Sequence, residues 1–301
     1  MRSVLVLVNP KAGLPRLFGL MRKAFDRFWD VRGTHLYYQF SQNQRDSVEK
    51  VRRAVREGVE IVLVVGGDGT VHSIGQVLVG TSVALGVVPA GSGNGFARHF
   101  GIPLAADRAI EVLAGAEIRT IDVGIANDKP FLVTCSMAWD ASIVRSFEKM
   151  PIRGILPYVL AGAYELLDHK PQPIRVSIEP KEELFFPDPL VFTVANLTQY
   201  GGGAIIAPHA RADDGKLELI VARREHLPHL VANLRRFFDG SLHKIPQIVS
   251  RSFRSLTVKR DRPTPIQMDG ELVDAPAEFS VHVAPKALKV LVPPAPLRDA
   301  G

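Results

Sequence analysis

The sequence predicts an α/β domain built on a mostly parallel sheet, followed by a β-rich half. Three observations carry this. Uninterrupted aliphatic runs at residues 4–8, 61–65 and 83–88 alternate with stretches of helical periodicity. Each run ends in a loop rich in glycine or proline, at residues 9–13, 66–70 and 89–95. Near residue 118 the rhythm changes to spaced strands with proline and glycine between them. Strand–helix alternation indicates parallel strands with helices on both faces, and spaced strands indicate an antiparallel sandwich or curved sheet.

The elements follow in order. Residues 4–8 read as a buried strand, and residues 14–29 as a helix with Leu17, Leu20, Met21, Phe25 and Phe28 at helical spacing. Residues 35–40 are strand-like, and residues 44–57 are helical with Val48, Val51 and Val55 on one face. The strand at 61–65 has no polar interruption, so it should be buried on both faces. A helix over 71–79, a strand over 83–88, a helix beginning near Phe96 and a short helix over 107–114 complete the first domain. Residues 119–125 and 131–137 read as paired strands across Ala126-Asn127-Asp128-Lys129, and 141–169 as helical. Strands are then expected at 174–178, 190–196, 217–221, 255–258, 279–283 and 288–292, with one helix at 227–238. The boundary falls at residue 125: residues 1–125 form the α/β domain and 126–301 the β-rich domain, whose last residues return toward the first.

Composition narrows the chemistry. With 301 residues, 46% hydrophobic and 23% charged, the chain has an ordinary globular core. The net charge of +6 favours anionic partners such as nucleotides or acidic membrane surfaces. A single cysteine, Cys135, excludes an internal disulfide framework and fits a reducing compartment, so a cytoplasmic location is expected. The early apolar run is too short for a signal peptide, and none reaches the ~20 residues a membrane span needs.

In sheets of this kind the loops after the strands share one edge, so the three loops should converge. Gly66, Gly67, Gly69 and Thr70 supply backbone N–H groups that can approach a phosphate, and the following helix adds positive potential. Asp68 is the unexpected member, because phosphate repels a bare carboxylate. Either it caps a tight turn, or it holds Mg²⁺ or handles a hydroxyl proton. Gly91 and Gly93 alternate with Ser92 and Asn94, whose side chains can bond phosphate or ribose. The alternation differs from the Gly-x-Gly-x-x-Gly dinucleotide fingerprint, which disfavours a nicotinamide dehydrogenase.

Asn9-Pro10-Lys11-Ala12-Gly13, Gly66-Gly67-Asp68-Gly69-Thr70, Pro89-Ala90-Gly91-Ser92-Gly93-Asn94 and Met268-Asp269-Gly270-Glu271, in that order, resemble the diacylglycerol kinase / sphingosine kinase catalytic family. The resemblance spans residues 3–292. It implies an NAD kinase-like, three-layer nucleotide domain, a sandwich-like lipid domain, and ATP-dependent phosphorylation of a lipid hydroxyl, on diacylglycerol or a related sphingoid alcohol. It implies nucleotide contacts from Asn9, Pro10, Lys11, Ala12, Gly13, Ser41, both glycine loops and Ser92. It places the general base on Asp269 or Glu271, with Asp269 favoured, while sphingosine-kinase-like members assign that role to the acid at Asp68. Asp122 matches an acid of the family's Mg²⁺ and water network, or pairs with Arg119. Asp214, with the carbonyls of Arg211 and Lys216, resembles a structural Mg²⁺ turn, although Arg211 stands where the subgroup has an acid. His72 and Ser73 depart from the family's Asn-Glu, and Gly95 from its usual Asp.

The sequence reading is therefore a Mg²⁺-ATP-dependent lipid kinase in transient contact with anionic membranes, with no nucleic-acid partner and with a homodimer left open. Basic clusters at Arg223-Arg224 and Arg235-Arg236, beside Phe237-Phe238, offer a membrane surface or a solvated helix face. The alternatives are phosphorylation of a soluble nucleotide in the manner of an NAD kinase, or a nucleotide-binding regulator that no longer catalyses.

Overall fold

The computed structural model describes residues 2–9, 18–29, 33–138, 172–180 and 182–294. It divides into two compact units, Met1–Ile121 with Ala287–Gly301, and Asp122–Lys286. In the first unit, β1 (Arg2–Val8), α1 (Phe18–Phe28), β2 (Thr34–Phe40), α2 (Gln44–Arg56), β3 (Ile61–Gly66), α3 (Asp68–Leu78), β4 (Ala84–Pro89), α4 (Gly95–His99) and α5 (Ala106–Ala114) follow one another. β1 pairs in parallel with β2 and with β3, and β3 pairs in parallel with β4. Every residue of β3 and β4 is buried, as strands covered on both faces must be. Burying each of Ile61 to Val65 contributes about 2 kcal/mol, which is why this unbroken run sits at the sheet centre. α1 packs with α5, and α2 with α3.

β5 (Glu117–Ala126) carries the chain into the second unit. There follow β6 (Lys129–Phe131), β7 (Thr134–Ser136), β8 (Ile174–Ile178), β9 (Glu182–Phe186), β10 (Pro189–Ala195), β11 (Gln199–Gly201), β12 (Ala204–Ile205), β13 (Leu217–Arg223), α6 (Leu227–Ala232), β14 (Val249–Phe253), β15 (Ser255–Arg260), β16 (Ile266–Met268), β17 (Glu271–Val273) and β18 (Glu278–Val292). One sheet has the order β14-β13-β10-β7-β16-β17, and all its pairings are antiparallel. β18, β15, β8 and β9 pair antiparallel in that order. Alternating residues of both sets, among them Val176, Phe192, Leu219, Val258 and Val281, share one buried core, the arrangement of a β-sandwich. The end of β18 belongs to the first unit, where Lys289 and Val290 pair in parallel with Ala84 and Leu85 of β4.

Four expectations need correction. The helix read from residue 71 begins at Asp68, inside the glycine motif, because the N–H groups of Thr70 and Val71 both donate to Gly67 O. The strand read over 131–137 is split into β6 and β7, because Leu132 and Val133 direct their N–H groups at a carboxylate described below. The helix read over 227–238 stops at Ala232 and continues as a 3₁₀ turn, Leu234–Phe237. Asn233 ends it: its N–H and its side-chain amide both bond the His229 carbonyl, the local competition that makes Asn a poor helix interior. The strands read at 279–283 and 288–292 are one, since Lys286 takes φ 52° and gives its N–H to a side chain while the strand runs on. The loop at 10–13, the start of the first helix at 14–17 and the helix read at 141–169 lie outside the described residues.

Candidate active site

Three backbone bonds align the strand ends of the first unit. Ser41 N–H donates to Val8 O, Asn9 N–H to Val65 O and Ala90 N–H to Gly66 O. Because the strands are parallel and in register, Asn9, Ser41, the Gly66–Thr70 loop and the Gly91–Asn94 loop all follow strand ends on one edge. Asn9 Nδ2 donates to Thr70 Oγ1 at 2.9 Å, tying the first loop to the second. The second and third loops cross at two glycines. A Cβ on Gly91 would lie 2.7 Å from the Gly67 Cα, so no side chain fits at the crossing.

Asp68 fastens that crossing. Its Oδ2 accepts the Asn94 N–H at 2.7 Å and its Oδ1 the Gly95 N–H at 2.8 Å. The carboxylate thus sits on the first N–H groups of α4, where a negative charge is stabilised. Asn94, at φ 53°, folds its amide back on Gly91, accepting from the Gly91 N–H and donating to the Gly91 carbonyl. It shapes the loop, and Ser92 at the tip is exposed. Arg98 Nε donates to Gly93 O at 3.1 Å. Ser73 Oγ donates to the Gly69 carbonyl at 2.8 Å and receives Gln44 Nε2 at 2.6 Å, so at this position a neutral link to α2 stands in place of a charge. His72 is buried beside Gln76, which makes it a packing residue of α3.

The second group of residues lies in the other unit. Met268-Asp269-Gly270-Glu271 forms a two-residue hairpin between β16 and β17, with Met268 opposite Glu271. Asp269 (φ 49°) and Gly270 (φ 93°) both lie in the left-handed region, the geometry for which hairpins choose Asp-Gly. The Asp269 carboxylate is 6% exposed and accepts three backbone N–H groups. They come from Leu132 at 2.7 Å, Val133 at 2.7 Å and Thr134 at 3.0 Å, and Asp269 N–H returns a bond to Thr134 O. Successive N–H groups turned to one anion form a nest. Glu271, the other acid of the motif, is half-buried.

Asp122 is also anchored by backbone. Its carboxylate accepts from Gly215 N–H at 2.6 Å and Lys286 N–H at 2.8 Å, while Arg119 faces Glu117 instead. Asp122 N–H donates to Ala212 O at 2.6 Å, so the structure brings Asp122 against the 211–216 turn. In that turn Asp214 is exposed and accepts only the Lys216 N–H among the described side-chain bonds, and Arg211 and Lys216 are exposed.

Two residues escaped the sequence reading. Asn196, 1% exposed, donates its side-chain amide to the carbonyls of both Asp122 and Leu132, joining the Asp122 turn to the Asp269 nest. Arg260, 4% exposed, donates to the Thr264 hydroxyl and to the carbonyls of Thr264, Ala275 and Pro276, and stacks on Phe279. It clasps the residues on either side of the hairpin that carries Asp269 and Glu271. Burial pushes its guanidinium down to about 10, which leaves it cationic at neutral pH. Neither has a motif; an arginine amid strands is legible only as a surface residue.

The donor set bears on a metal ion. Among the described residues no three His, Cys, Asp or Glu side chains cluster. Mg²⁺ bound with phosphates needs only one or two carboxylates and keeps its waters. The single carboxylate of Asp68 beside the glycine loops fits that requirement.

A parallel α/β unit with glycine loops and an acid on one strand edge, continued by a β-sandwich unit, defines a class of phosphotransferase folds. Family comparison narrows it. The model described as "Diacylglycerol kinase catalytic domain" matches residues 3–126, and that described as "YegS C-terminal NAD kinase beta sandwich-like domain" matches residues 134–292. A Mycobacterium tuberculosis protein named "Diacylglycerol kinase" is 30% identical over 299 residues, covering 97% of this chain and 95% of that one. The Salmonella typhimurium protein named "Probable lipid kinase YegS" is 29% identical over 272 residues, covering 87% and 88%. The crystal structure of a putative diacylglycerol kinase from Bacillus anthracis has the same fold, with a TM-score of 0.78 at 20% identity and 98% coverage of both chains. The chain belongs to the diacylglycerol kinase catalytic-domain family, and it is a lipid kinase.

Proposed function

We propose that the enzyme transfers the γ-phosphate of ATP to the hydroxyl of diacylglycerol or a closely related lipid alcohol, with Mg²⁺. The observation that carries this reading is the carboxylate of Asp68, anchored by two N–H groups among glycine loops on the shared strand edge. The loops Gly66–Thr70 and Gly91–Asn94 hold the phosphates, through N–H groups such as those of Gly67, Gly69 and Gly93 and the Ser92 hydroxyl, while the Thr70 and Gly91 N–H groups shape the loops. Asn9 and Ser41 contact the nucleotide from the same edge, and Pro10, Lys11, Ala12 and Gly13 extend that contact. Asp68 holds Mg²⁺, directly or through water, which when bound neutralises charge on the transferring phosphate. Asp214 with the carbonyls of Arg211 and Lys216 would hold a second, structural Mg²⁺, and Asp122, whose carboxylate takes the Gly215 and Lys286 N–H groups, belongs to the water and metal network beside it.

For the acceptor, we favour Glu271 of the two acids of the hairpin. The Asp269 carboxylate is occupied by three N–H donors, so it serves as the anchor of the turn. Glu271 takes the acceptor proton. The lipid O–H bond breaks as the proton passes to the Glu271 carboxylate, the oxygen bonds the γ-phosphorus, and ADP departs with the bridging oxygen. A lipid acceptor brings the enzyme to membranes, and we assign it a transient contact with anionic bilayers from the cytoplasm.

Radiolabelled γ-phosphate transfer to diacylglycerol, a sphingoid base, NAD and buffer tests the reading. Label is expected on a lipid, with loss of about 10²-fold or more in Glu271→Gln and in Asp68→Ala. Label on NAD alone, or ATP binding with no transfer to any acceptor, overturns it.

A further inference from the structure

The stretch from Leu227 to Phe238 carries apolar side chains on two sides. Leu230 is buried, and Leu227 and Phe237 pack against the cluster that includes Leu190, Ile206, Ile220 and Leu242. Val231, Leu234 and Phe238 are instead 64%, 57% and 51% exposed. Single exposed apolar residues are ordinary, but three within eight positions, across the end of α6 and the 3₁₀ turn that follows it, are a concentration of apolar surface.

The charge around the patch is one-sided. Residues 223–244 hold five basic side chains, Arg223, Arg224, Arg235, Arg236 and Lys244, against two acidic ones, Glu225 and Asp239. Arg223 is engaged by Asp188 and Glu225. Arg235, between Leu234 and Arg236, has a side chain 93% exposed, and its acid Asp239, at 3.9 Å, also binds Ser241.

We propose that this face is the bilayer-docking surface of the kinase, and that its partner is an anionic lipid membrane. Leu234, Phe238 and Val231 enter the boundary between headgroups and acyl chains, while Arg235 and Arg236 pair with lipid phosphates. Charge chooses this occupant over a second copy of the chain. A two-fold interface through this patch would bring the same arginines face to face, whereas an anionic bilayer neutralises them. The assignment rests on the membrane contact proposed above and not on the identity of the catalytic base.

Co-sedimentation of the full chain without ATP tests it, with vesicles of phosphatidylcholine alone or containing about one-third phosphatidylglycerol. The wild type is expected to bind the anionic vesicles about tenfold or more tightly than the neutral ones, and less tightly in high salt. Leu234→Ser with Phe238→Ser, and separately Arg235→Glu with Arg236→Glu, should each weaken that binding about tenfold. Transfer to a short-chain, water-soluble acceptor should be unchanged. Arg235 is exposed and Arg236 half-buried, so Arg235→Glu alone remains informative if either double variant misfolds. Wild-type binding by the arginine variant, equal binding to both vesicles, or a solution dimer dissolved by Leu234→Ser with Phe238→Ser overturns the proposal. Loss of vesicle binding in a chain that phosphorylates no lipid would sustain this surface and remove the catalytic reading.

Discussion

Asp269 and Glu271 stand two positions apart and face different physical tasks. Motif matching favours Asp269 as the base, but a carboxylate that accepts three backbone N–H groups is bound to its turn. Replacing Asp269 with Asn turns an N–H₂ toward those donors and leaves N–H groups unsatisfied in a buried place. Asp269→Asn is expected to lower unfolding stability by about 2–4 kcal/mol, read from the urea midpoint, as well as to slow transfer. Glu271→Gln is isosteric at a half-buried position and should leave the urea midpoint unchanged while abolishing turnover. A stable Asp269→Asn enzyme would remove the anchoring role. Asp122 is likewise held by backbone, through the N–H groups of Gly215 and Lys286.

At the scale of elements, the strand edge proposed to hold phosphate has two loops approaching at Gly67 and Gly91. A Cβ at Gly91 meets backbone, which cannot step aside as a flexible side chain would. Gly91→Ala is expected to push the loops apart, weaken the Asp68 bonds to Asn94 and Gly95, and cost about 1–3 kcal/mol in nucleotide binding, measured by titration calorimetry. Gly19→Ala in α1 is the matched comparison. Its Cβ meets nothing within 4 Å, and alanine favours a helix, so stability should hold or rise slightly. The start of α3 at Asp68 belongs to the same device, because it places the helix's first N–H groups inside the loop instead of three residues beyond it.

For the whole molecule, the order of the chain and the order of the fold differ. The last described strand closes the first unit, with Gly80 N–H bonded to Ala287 O and Val290 beside Leu85. Leu288, Val290, Leu291 and Val292 are buried there. At about 2 kcal/mol each, their burial is comparable to the 5–15 kcal/mol that holds an entire domain. Removing residues 287–301 should therefore abolish cooperative unfolding of the first unit and with it ATP binding, as followed by calorimetry. A truncated chain that still melts cooperatively and binds ATP would make the strand dispensable. Among the described residues no helix is long and apolar enough to cross a membrane.

The sequence alone determined the parallel strands, the three loops at their ends and the family, because these rest on local signals. Aliphatic runs bury themselves wherever they lie, and glycines announce a close approach before its partner is known. Only the tertiary structure shows which groups each carboxylate bonds. Asp68, Asp122 and Asp269 look alike in a row of letters, and each is defined by N–H groups 26 to 164 residues away in the chain. Asn196 was hidden by the same distance, and Arg260 because its partners are mostly carbonyls, groups every residue carries and no motif marks. Distance also hid the break between β6 and β7, where ladder bonds gave way to a nest because a buried charge outweighs a strand's regularity.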